Sequence, residues 1–197
     1  MKATSLLVLA TLLAGSRGLS AQMVVQPEAK LNEAQMVVRT SLYLLRDSLQ
    51  LVEAASARIA RDLATASDAA LRSRATIMAR RCAAAVNQTD STRGVVSRGA
   101  LPDPDPKGLR LTLDKALDTL RVQLQACVGQ FNSLADPAKS EELRGYGIGR
   151  GKQVQVAIQK YRPTASQYFR AAFDQQYWPN LNGAGATPSG GPPPRTP

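Results

Sequence analysis

Apolar residues recur at alternating steps of four and three along most of this chain. Val38, Leu42, Leu45, Leu49, Val52, Ser56, Ile59 and Leu63 fall on one side of a helix expected over residues 28–64, close to a heptad seam. Pro27 suits the first turn of that helix, where a missing N–H does no harm. Leu71, Ala75, Met78, Cys82, Ala85 and Thr89 repeat the pattern in a second helix that fades near Gly94. Thr65 with Asp68 three residues on has the spacing of a capping box and predicts its start. Leu113, Leu117, Leu120, Leu124, Cys127, Phe131 and Leu134 define a third helix.

Asp105-Pro106 and Asp136-Pro137 each place a capping carboxylate before a proline suited to a first turn, so they are expected to open the third and fourth helices. Upstream, Pro102, Pro104 and Pro106 alternate with Asp103 and Asp105, which predicts an extended linker. Pro163 is expected to kink or end the fourth helix, with a last amphipathic piece running to about Tyr177. Six of the nine aromatic residues lie between Tyr161 and Trp178 and are expected to dock this end onto the bundle, or else to form a binding patch. No strand pair is visible. The expected fold is all-α: an antiparallel bundle of about four main helices over residues 22–178.

The two ends differ from this pattern. Lys2, the apolar run Leu6–Ala14 and the small residues up to Ala21 have the layout of a signal peptide, residues 1–21. Residues 179–197 are rich in proline and glycine and are expected to be a disordered tail. No segment after the leader is apolar enough to cross a membrane. The expected location is therefore periplasmic or secreted, where Cys82 and Cys127 would pair as a structural disulfide.

The fourth helix contains RGYGIGRGKQVQV, with glycine at every second position from Gly145 to Gly151. Tyr146 and Gln153 stand where a phosphate-binding P-loop needs glycine and a hydroxyl. Alternation over Tyr146–Ile158 also fits a strand, but one without a partner in the chain. The preferred reading is a helix in which Gly145, Gly147, Gly149 and Gly151 allow close packing, with Gly147 and Gly151 facing a neighbouring helix.

Composition limits the chemistry. The chain has no histidine, which excludes histidine-based nucleophile systems and imidazole metal sites. Asp114 and Asp118 share a helix face and form the best carboxylate pair, although a solvated face explains them as well. Asp103 and Asp105 lack the glycine and further acids of a calcium loop. The formal net charge is +10, of which Lys2 and Arg17 would leave with the leader. Arg72, Arg74, Arg80 and Arg81 make the second helix basic and are candidates for contact with an anionic surface. No catalytic residue, metal or cofactor is expected. The expected role is non-enzymatic: a structural or protein-interaction role in the cell envelope, with an unknown protein or envelope component as partner. The alternative is a basic binding module for an anionic envelope polymer or membrane surface. Nucleic acid is the least favoured partner for an exported chain.

Overall fold

The computed structural model describes residues 31–98, 105 and 107–178. The expected leader, residues 1–21, and tail, residues 179–197, lie outside the described residues. Four long helices follow in order: α1 Glu33–Asp62, α2 Asp68–Val96, α3 Leu109–Leu134 and α4 Ser140–Phe173. A short 3₁₀ turn, Pro137–Lys139, precedes α4, and the described residues contain no strand. Each helix packs on the next, and α4 closes the ring against α1.

Local chemistry sets the helix ends. Asn32 Oδ1 accepts from the Gln35 N–H at 2.8 Å, and Gln35 Oε1 accepts from the Asn32 N–H at 3.0 Å, so α1 starts at Glu33 instead of near Glu28. The cap of α2 is Ser67, which accepts from Ala70, and not Thr65. The N–H groups of Thr65 and Ala66 are still bonded to the Asp62 carbonyl at the end of α1, so α2 begins only after them. Asp105 accepts from the backbone N–H groups of Lys107 and Arg110, while Gly108 turns the corner at φ 57°. Only glycine takes that left-handed conformation without cost. Asp136 accepts from the Ala138 N–H and supports the 3₁₀ turn.

The expected apolar stripe of α1 is buried from Val38 to Leu63, and that of α3 from Leu113 to Leu134. On α4, Leu143, Val154, Ile158 and Tyr161 face the same core. The helix does not end at Pro163 but continues to Phe173. Asp174 then adopts a left-handed conformation and turns the chain, and its N–H bonds to the Arg170 carbonyl. This turn brings Tyr177 and Trp178 back against the bundle. The Tyr177 ring stacks on Phe169 at 4.9 Å, and its hydroxyl donates to the Leu42 carbonyl at 2.7 Å. The Tyr161 hydroxyl lies 3.3 Å from that of Tyr177. Burial pushes both phenols well above their ordinary range, so they stay neutral. The late aromatics thus dock the end of α4.

Cys82 and Cys127 form a disulfide between α2 and α3, with Cα atoms 6.2 Å apart. The glycine stretch is helical throughout. A Cβ added at Gly151 would collide with Ser56 Oγ of α1 and lie 3.6 Å from its Cβ. Gly151 therefore marks a close approach of two helices. The packing expected at Gly145 and Gly149 is not found: a methyl group at either would meet no atom within 4 Å. Both are two residues from a buried position, about 200° around the helix, and so face outward. The side-chain environment of Gly147 lies outside the described residues.

Replacing both cysteines by serine should lower stability by about 4 kcal/mol on loop-closure grounds, as measured by urea denaturation. Gly145→Ala and Gly149→Ala should each raise stability by about 0.5–1 kcal/mol, because they improve helix propensity in open space. Gly151→Leu should lower it by about 1–3 kcal/mol through overpacking. An unchanged midpoint for Gly151→Leu would rule out the close approach.

Candidate functional surface

The carboxylates singled out from the sequence are tied to arginines of neighbouring helices. Arg93 of α2 donates to Asp114 at 2.7 Å and 3.2 Å and to Asp118 at 2.5 Å. The hydrogen bond from Arg93 holds Asp114 below the usual carboxylate range, and the bond to Asp114 likewise raises Arg93. This clamp gives the two acids a shared cation, not the contrasting environments that acid–base chemistry needs. Arg121 and Asp90 form a second α3–α2 pair at 2.6 Å. Arg144 of α4 reaches Asp68 and the carbonyls of Leu63 and Ala66, closing the turn between α1 and α2. Arg162 bonds Glu53 of α1 at 2.5 Å and 2.6 Å, and its guanidinium sits 4.5 Å from the centre of the Trp178 ring. Burial pushes the Glu53 carboxyl up, against the charge and hydrogen bond of Arg162. Asp105, the other acid considered, serves the first turn of α3, and backbone hydrogen bonds, that of Arg110 foremost, lower its pKa. Asp103 lies outside the described residues. Among those residues no group of three histidine, cysteine or acidic side chains could hold a metal.

The basic residues of α2 do not act as one set. Arg74 pairs with Asp62 of α1. Arg72 is half-buried and Arg80 exposed. Arg74 and Arg81 line a surface hollow of about 580 Å³ between α1 and α2, together with Arg58 and Arg61 of α1 and the apolar Leu51 and Ile77. Arg58 and Arg61 are not legible as part of this set in the sequence, because they join Arg74 and Arg81 only across the α1–α2 contact.

A second signal is present in the sequence. Val37, Leu44 and Leu51 repeat at seven residues, one step off the buried stripe, and are 48%, 52% and 46% exposed. A solvated helix face would carry polar groups there. Val37 lines a second hollow of about 370 Å³ with Val95 of α2 and Arg98 just beyond its end. A further hollow of about 630 Å³ lies between α3 and α4, lined by Thr119, Gln123, Lys152, Val156 and Lys160 among others. No helix among the described residues is long and apolar enough to cross a membrane. Comparison with protein-family models, with curated proteins and with solved structures gives no match.

Because Asp114 titrates below its unfolded value, the Arg93 clamp contributes stability above the ordinary carboxylate range, and this is lost as pH falls through the folded pKa. Arg93→Met should bring the Asp114 carboxyl back toward its ordinary pKa in an NMR titration. Global stability at neutral pH should fall by no more than about 1 kcal/mol, since the pair is partly exposed.

Proposed function

We propose that this chain is an exported, non-enzymatic interaction protein of the cell envelope, with the bundle as a rigid platform for a partner. The observation that carries this reading is the exposed apolar row Val37, Leu44 and Leu51 on the outer side of α1. Rows of large apolar side chains at helical spacing that are left in water mark surfaces that another molecule covers. The clamps support the same reading: acids that could have served chemistry hold helices together instead. The leader-like first residues and the disulfide favour export to an oxidising compartment, the periplasm or the exterior. The arginine-lined hollow favours an anionic partner.

A photoreactive residue in place of Leu44 or Leu51, introduced in the cells that make the protein, should give a discrete crosslinked partner. The same group at Leu111 of α3, which is 60% exposed, should not. Absence of adducts from Leu44 and Leu51, or equal yields from Leu111, would count against this role.

A further inference from the structure

The outer face shared by α1 and α2 has a regular construction. If the buried stripe of each helix is written as heptad positions a and d, Val37, Leu44, Leu51 and Arg58 all fall at c on α1. On α2 the c positions are Ala70, Ile77, Ala84 and Ser91. The helices touch along their g positions: Ser41 bonds Gln88 and, one row inward at d, Thr92, and Asp62 pairs with Arg74. Two c rows therefore stand on either side of the contact line as the walls of a trough. The α1 wall carries large side chains, and the α2 wall is small except at Ile77. The two hollows lie at either end of this face.

From Val37 to Arg58 the row spans about 32 Å at 1.5 Å per residue, which matches a helix of about 20 residues. The charge on the face is one-sided. Arg58, Arg61, Arg81 and Arg98 form no ion pair among the described residues, while the acids on this face are Glu33, Asp47 and Asp62, the last two tied to Arg46 and Arg74.

We propose that this trough receives an acidic amphipathic helix of a partner protein, with its apolar stripe on Val37, Leu44, Leu51 and Ile77 and its carboxylates on Arg58, Arg61 and Arg81. The inference rests on the interaction role argued above and names the chemistry of the partner. Helix-in-groove docking uses apolar anchors one or two turns apart, and flanking charges set partner choice. The other occupants fit less well. A second copy brings the same strongly positive net charge, +10 over the full sequence less Lys2 and Arg17 of the leader. Residues 179–197 contain no acid and one arginine, so they lack the complementary charge. A lipid surface favours a convex face with aromatic anchors, and neither c row contains an aromatic residue.

The test uses the full chain and a synthetic three-heptad peptide with leucine at a and d and glutamate at the flanking positions. Its controls are a sequence-scrambled peptide of equal composition and vesicles of anionic phospholipid. The amphipathic peptide should bind at least tenfold more tightly than the scrambled one by fluorescence anisotropy. NMR shifts should concentrate on Leu44, Leu51 and Ile77. Leu44→Gln with Leu51→Gln, and separately Arg58→Glu with Arg81→Glu, should each weaken binding at least tenfold while circular dichroism stays unchanged. Equal affinity for the scrambled peptide, indifference to both double variants, binding to vesicles alone, or self-association through this face would each overturn the proposal. If Leu44 crosslinks a partner in cells but the peptide fails, the interaction role stands and the helix chemistry falls. If both fail, both fall.

Discussion

Cys82 and Cys127 occupy the inner stripes of α2 and α3, and their bond fixes how far one helix can slide along the other. A slip of one turn would shift the two Cα atoms by about 5.4 Å, more than a disulfide spanning 6.2 Å tolerates. That register satisfies two further sets of contacts at once, Arg93 with Asp114 and Asp118, and Arg121 with Asp90. With α2 and α3 fixed, the short turns on their outer ends leave α1 and α4 little freedom, and these meet where Gly151 lets the backbone of α4 approach Ser56.

The basic character of the chain divides into two parts. Several arginines are structural ties: Arg144 closes the α1–α2 turn, Arg162 joins α4 to α1 and backs Trp178, and Arg93 joins α2 to α3. Of the others, Arg58, Arg61 and Arg81 gather on the outer side of α1 and α2, beside apolar groups that the core does not use, while Lys115, Lys152 and Lys160 lie on α3 and α4. Arg58, Arg61 and Arg81 tie no helices together, which leaves them available to the proposed partner.

Much of the fold could be read from the sequence because burial in a helix bundle writes itself as a seven-residue repeat. The core stripes of α1 and α3 are those the spacing indicates, and Cys82 and Cys127 stand within such stripes. Ends were less legible. Thr65 and Ser67 both offer a hydroxyl, and the choice depends on how long the last turn of α1 keeps the intervening N–H groups. Pro163 also misled in part, because packing on both sides holds α4 helical through a residue that would stop an isolated helix. Glycine spacing could not separate Gly151, which meets another helix, from Gly145 and Gly149, which meet solvent. The candidate face was harder still. Arg58, Arg61, Arg74 and Arg81 converge only when α1 and α2 lie antiparallel, a relation that neither helix carries alone.

The bond from Tyr177 to the Leu42 carbonyl joins residues 135 positions apart. It also bears on the order in which the chain can fold. A polypeptide that emerges N-terminus first presents α1 long before the residues that complete its inner face. Leu42 waits for Tyr177, and Glu53 waits for Arg162. Until then α1 can pair only with α2, and the side of its apolar stripe that meets α4 stays open. Closure of the ring belongs to the last stage of emergence, so the bundle is built to be finished after its whole chain has arrived.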